Sequence, residues 1–374
     1  MRLSVVFWVL LAIYTISGII AKLVFPELLP PPRTFPLLYA VAFAIAMASG
    51  YAVARIIPRR VRAVTYVLTV LLVLSATGWW GFPVALAAIA MPAALAREEG
   101  RKIKKAPTTV AVTIDVLLVA VALILAMIPV VMGKMPLLHP QVRYTNVRFF
   151  YLASGYLVVS ALSVRSDFRV FLIGLAIAII STFRTVGLAV TIAYLLKLVQ
   201  EGNLKAGAEK WLLKIGTLSA GVMALFLVRY YATLHTYPEW KLGFFETLFY
   251  RMGFTYSVYE RLFEIGIPWG DLKILISTDP KGYVGRLFGS SVVYNYTIFG
   301  QPVHDFGILG LGEGFLLGGI LKDTEGTRVT EVLALTLFIL MIPIGIDGFF
   351  LPTTAFLAYL ALGVKTWERT EHWV

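Results

Sequence analysis

Three places in the sequence carry reactive side chains that an otherwise apolar chain does not need. His304 and Asp305 follow Pro302 in the run GQPVHDFG. An imidazole at the mouth of a membrane span can take a proton from a hydroxyl; alternatively it is a hydrogen-bonded interfacial histidine beside a carboxylate suited to a helix start. Arg184 sits in ISTFRTVGL between two short apolar runs. A guanidinium at membrane depth either snorkels to the interface or lines a cavity, and in a cavity its planar fork matches phosphate oxygens two at a time. Glu313 lies between Gly312 and Gly314 in an apolar stretch. A carboxyl near mid-bilayer is paired, with Arg229 or Arg184 as candidate partners, or it serves catalysis or proton coupling, and the glycines let a neighbouring helix come close.

The elements that must hold these groups follow from composition. Of 374 residues, 59% are hydrophobic and only 14% are charged, and the mean hydropathy is +0.82. So few charges cannot cover a water-facing globule, so the chain reads as a polytopic membrane protein. Its basic start and long apolar run read as a first span that stays in place, not as a cleaved signal. Apolar runs near 3–25, 36–57, 62–77, 79–96, 110–132, 149–164, 169–183, 185–199, 213–231, 303–321, 329–345 and 348–364 predict about twelve transmembrane helices. The expected fold is all-α, one integral domain over 1–374, with one long loop carrying short interfacial helices. The absence of cysteine excludes disulfides and thiolate metal sites. Four scattered histidines give no zinc spacing. The net charge of +12 is spread over many short loops, which suits anionic lipid and argues against nucleic acid as a partner.

An even number of spans puts both termini on one side. Placing them in the cytoplasm also brings Arg55, Arg59, Arg60 and Arg62 and the basic cluster at 97–105 inside, and it makes 232–302 a large extracytoplasmic loop. That outer side keeps an unusual number of cations, including Arg251, Arg261, Lys273, Lys281 and Arg286. An anionic substrate explains them; the alternative is solvated loop charges paired with Glu260, Glu264, Asp271 and Asp279. Phe245, Leu248, Phe249, Met252, Tyr256, Tyr259 and Phe263 recur at three- and four-residue steps, which predicts an interfacial helix with its aromatic face in lipid. IPWGD and STDPKG read as turns and 281–297 as loop. Span 303–321 then opens at its outer end with His304 and Asp305, Pro302 being compatible with a helix start.

The run TIFGQPVHDFGILGLGEGFLLGGIL, preceded by a large Arg- and Tyr-rich insert, resembles the Wzy-type oligosaccharide repeat-unit polymerases. FRTVGLAVTIAYLL is similar to that family's short Arg-bearing helix, and RLFEIGIPWGD to its Arg-aromatic loop segment. The resemblance implies a GT-C membrane glycosyltransferase sharing architecture with O-antigen ligases. Such an enzyme joins polyprenyl-diphosphate-linked oligosaccharides at the outer face of the cytoplasmic membrane, without nucleotide sugar, metal or other cofactor. The donor and acceptor lipids would be its substrates, with a chain-length regulator and a flippase as candidate protein partners. On this reading Arg184, Arg251, Arg261 and Arg286 hold the diphosphate, His304 is the base, and Asp305 and Glu264 are the reserves. Two rivals stay open: ligase-type transfer to another acceptor, and a transporter or lipid flippase using Glu313.

Overall fold

The computed structural model describes residues 3–77, 109–202 and 239–370, apart from 140, 143, 144 and 291, together with scattered positions between 216 and 235. The expected spans at 79–96 and 213–231, and Arg229, lie outside the described residues. Every regular element among the described residues is helical. Among the described residues, three helices are long and apolar enough to cross a membrane: α1 (Ser4–Val24), α2 (Thr34–Val53) and the Ile114–Val131 portion of α4 (Thr109–Val131). Shorter apolar helices or segments are α5 (Arg148–Val164), α6 (Phe168–Ser181) and Phe350–Gly363.

The chain divides into two compact units. One comprises Trp80–Lys241 and Gly326–Thr336. In it α5 packs against α4, α6 and α7 (Arg184–Gln200). Small residues allow this: Gly155 lies under Val186, and Gly174 lies between Val158 and Val190, where any Cβ would collide. Asp167 caps α6 by accepting from the Arg169 amide at 2.7 Å, which satisfies one of the unpaired donors of a helix start.

The other unit comprises Met1–Trp79, Leu242–Glu325 and Leu337–Val374. It contains α1, α2 and α3 (Arg59–Thr77), then α8 (Phe244–Gly266), α9 (Pro280–Leu287), α10 (Thr297–Phe306), a 3-10 turn (Gly307–Leu309) and α11 (Gly310–Thr324). The later part of α12 (Arg328–Ile344) and α13 (Phe350–Thr370) complete it. Helix α11 lies along α2, and the contact is made by glycine. A Cβ at Gly50 would strike the Phe315 carbonyl and one at Gly318 the Met47 carbonyl, while Gly314 lies against Phe43. In lipid, where apolar burial supplies little drive, such backbone approach is what holds helices together.

Two expectations about the insert change. The aromatic-periodic helix exists as α8, but the later part of its face is buried: Tyr256 and Tyr259 are 1% and 0% exposed whereas Phe245 is 69% exposed, and α8 packs on α1 and α10. The reason is a buried ion pair between Lys22 of α1 and Glu260 of α8, with Arg33 donating its amide to the same carboxylate at 2.9 Å. Within 281–297, Pro280–Leu287 is helical; Asp279 caps it and proline occupies its first turn, where no amide proton is needed.

Candidate functional site

The stretch expected as one span over 303–321 is broken. Helix α10 ends at Phe306 and α11 begins at Gly310, so His304 and Asp305 lie in the last turn of one helix and do not open the next. Gly307 makes the break with φ +57°, a conformation open to glycine at little strain. A Cβ there would also strike the Pro268 carbonyl. The segment after α8 is laced onto this corner. Asp271 N donates to the His304 carbonyl at 3.0 Å, Leu272 N to the Asp305 carbonyl at 3.2 Å, and Ile308 N to the Pro268 carbonyl at 3.1 Å.

Asp305 is the hub. Its Oδ1 accepts from the amides of Lys273 at 3.0 Å and Ile274 at 2.8 Å, and its Oδ2 from Leu275 N at 2.6 Å and Gln301 Nε2 at 3.1 Å. The fifth neighbour is His304 Nδ1, 2.8 Å from Oδ1. A carboxylate already receiving four N–H groups acts as an acceptor, so the imidazole donates from Nδ1. That leaves Nε2 pointing elsewhere: it is buried and has no hydrogen-bond partner among the described residues. The Tyr283 ring of α9 stands edge-on to His304, centroids 5.7 Å apart. Both oxygens of Asp305, expected as a reserve base, are thus occupied by donors, and the carboxylate fixes the orientation of His304.

Of the other expected site residues, Glu264 is ion-paired with Arg33 and half exposed. Arg261 lies over the Phe288 ring at 4.8 Å, and Arg286 is exposed, 3.7 Å from Asp279. Arg251 lies on α8, and Arg184 is the first residue of α7, in the other unit. The structure thus brings Arg261 and Arg286 to the same short segment, since Phe288 follows α9 directly. Glu313 is buried in α11 with neither carboxyl oxygen hydrogen-bonded among the described residues. Gly314 beside it does face a neighbouring helix, whereas Gly312 faces open space. Sequence reasoning missed Gln301, which is fully buried and braces Asp305. Its four-residue spacing from Asp305 on a helix was the available signal.

Outside the membrane-spanning helices, electrostatics mark α9 and the segment before it. Burial pushes the Lys281 ammonium below its ordinary range, against the opposing pull of Asp347 and Asp279. Burial likewise raises the Tyr283 phenol, with Asp271 adding to the effect. The Asp271 carboxylate raises Lys273, to which it is hydrogen-bonded at 2.6 Å.

An all-helical architecture among the described residues, with apolar spans and a buried His–Asp pair at a helix break, defines a helical membrane protein with a polar site set in its interior. The O-antigen polymerase family model matches residues 3–347, and the chain belongs to that family. No curated protein and no solved structure matches it. Membership makes it a membrane polymerase of O-antigen synthesis, with glycosyltransferase-type polymerisation of lipid-linked oligosaccharide.

Proposed function

We propose that the protein moves a growing glycan from a polyprenyl diphosphate to the terminal sugar hydroxyl of another lipid-linked unit, at the outer face of the cytoplasmic membrane and without a metal. The observation that carries this reading is His304 Nε2, buried, unpartnered among the described residues and aimed by Asp305. In the reaction Nε2 takes the acceptor hydroxyl's proton as its oxygen attacks the anomeric carbon. The bond from that carbon to the diphosphate oxygen breaks, and the lipid diphosphate leaves with the electron pair. Asp305 stabilises the imidazolium so formed.

Charge grows on the leaving diphosphate as that bond breaks, so fixed guanidinium groups lower the barrier more than they tighten ground-state binding. Arg286 has the best structural support for this role, because it lies one turn of α9 from Tyr283, whose ring meets His304. Arg261 joins it through Phe288. Arg251, on α8 of the same unit, completes the proposed set there.

The test is chain extension from lipid-linked substrate by the purified protein in the presence of a chelator. Loss of a general base predicts that His304→Gln slows extension by about 10²–10⁴-fold, with a normal thermal midpoint. Arg286→Ala should slow it by about 10²-fold or more. Ladders from one substrate fit a polymerase, and a single transfer to an unrelated acceptor fits a ligase. Extension at the wild-type rate by His304→Gln defeats the assignment, and dependence on added divalent cation defeats the metal-free step.

A further inference from the structure

The cluster around Asp305 holds more acceptors than the His–Asp pair uses. Four buried side-chain atoms have no hydrogen-bond partner among the described residues: His304 Nε2, Gln301 Oε1 and both carboxyl oxygens of Glu313. Gln301 donates one amide proton to Asp305, its carbonyl oxygen is unused, and the same side chain lies within hydrogen-bonding reach of Glu313. The packing of α11 on α10 brings Glu313 there. Gly310 lies so close to the Pro302 carbonyl and the Tyr39 hydroxyl that a Cβ would not fit, and Glu313 stands three residues further along the helix.

A buried polar atom without a partner costs about 1–3 kcal/mol, so these acceptors on adjoining turns of α10 and α11 point to an occupant that brings donors. A phosphate brings acceptors only, and here it would meet two carboxyl groups, those of Asp305 and Glu313. One water has two protons to give, too few for four acceptors. A sugar ring carries neighbouring hydroxyls, each with a proton to donate and a lone pair to spare.

We propose that Glu313 and Gln301 form the subsite for the acceptor sugar: neighbouring hydroxyls of its terminal ring donate to the Glu313 carboxyl and to Gln301 Oε1, while the reacting hydroxyl donates to His304 Nε2. This deepens the polymerase reading and rests on it. Phosphate recognition falls to the arginines, and hydroxyl recognition to the acceptor-lined corner between α10 and α11. Entry of the ring displaces Tyr283, which covers His304 in this structure.

The experiment uses the full-length protein in detergent with methyl glucoside, galactoside, mannoside and N-acetylglucosaminide as probes. It reads thermal stabilisation by each glycoside, and transfer of glycan onto it from extracted lipid-linked substrate. At least one glycoside should stabilise the wild type. Glu313→Leu and Gln301→Leu should each raise its half-saturating concentration tenfold or more, with the half-saturating lipid-linked donor concentration changed less than twofold. If Glu313→Leu does not fold, Glu313→Gln and Gln301→Leu carry the same comparison.

No stabilisation of the wild type by any glycoside overturns the subsite, leaving water as the occupant. Unchanged half-saturation in the variants overturns it as well, as does an equal rise for donor and acceptor. Variant-sensitive glycoside binding in a protein that never extends a glycan keeps the subsite and defeats the polymerase reading. Normal acceptor saturation during extension by the variants does the reverse.

Discussion

At the scale of single residues, the His304–Asp305 pair is held by contacts that come from elsewhere in the chain. His304 was legible because a histidine beside a carboxylate in an apolar run is chemically conspicuous. That Asp305 aims the histidine was not legible, since three of its donors are amides about thirty residues earlier in the chain. No local pattern records a backbone amide that arrives from elsewhere. Nearby, burial depresses Lys281 from its ordinary value of 10.5, whereas hydrogen bonding raises the exposed Lys273. The folded chain therefore binds the Lys281 proton less tightly than the unfolded chain does. The resulting penalty is full below the folded-state pKa and fades as pH rises through the unfolded value. Acylation of the native protein across alkaline pH should accordingly reach its plateau at lower pH for Lys281 than for Lys273, read by mass spectrometry of the two peptides. The opposite order would contradict the burial of that amine.

At the scale of elements, the apolar runs at 3–25, 36–57, 62–77, 110–132, 149–164, 169–183, 185–199 and 329–345 each coincide with a helix to within a few residues, because long apolar runs in a membrane chain admit little else. The break at 307 escaped notice for a related reason. The residues on both sides of Gly307 are apolar enough to continue a span, and Pro302 fits inside α10 as well as at a helix start. The glycines of α11 also do different jobs that spacing does not separate. Gly318 is pressed against the Met47 carbonyl, whereas Gly312 has open space beside it. Gly318→Ala should therefore lower the yield of folded protein severely. Gly312→Ala should leave it unchanged or stabilise it by about 0.5–1 kcal/mol through the lower helix propensity of glycine. Size-exclusion profiles and thermal midpoints of the two variants make the comparison, and equal behaviour would contradict the α2–α11 contact.

At the scale of the whole molecule, composition alone established a membrane protein, and the family match bears that out. The proposed reaction also needs a sidedness, with the insert and its arginines outside. The chain has no cysteine, so single-cysteine variants have no background. Trp269→Cys and Arg286→Cys should react with a membrane-impermeant maleimide in intact cells. Arg59→Cys should react only after the membrane is opened. Protection of the first two until lysis would put the arginines on the wrong side for a donor presented outside.

The lacing of residues 271–275 onto the end of α10 makes the reactive nitrogen conditional. The three amides that complete Asp305 belong to that strip of backbone, so lifting it would remove most of the hub's donors at once. The carboxylate would then lose its fixed orientation, and the imidazole its aim, while every helix remained intact. On the proposed reading, activity depends on how a short irregular segment lies down, and a ligand or lipid that peels it back would silence the protein without unfolding it.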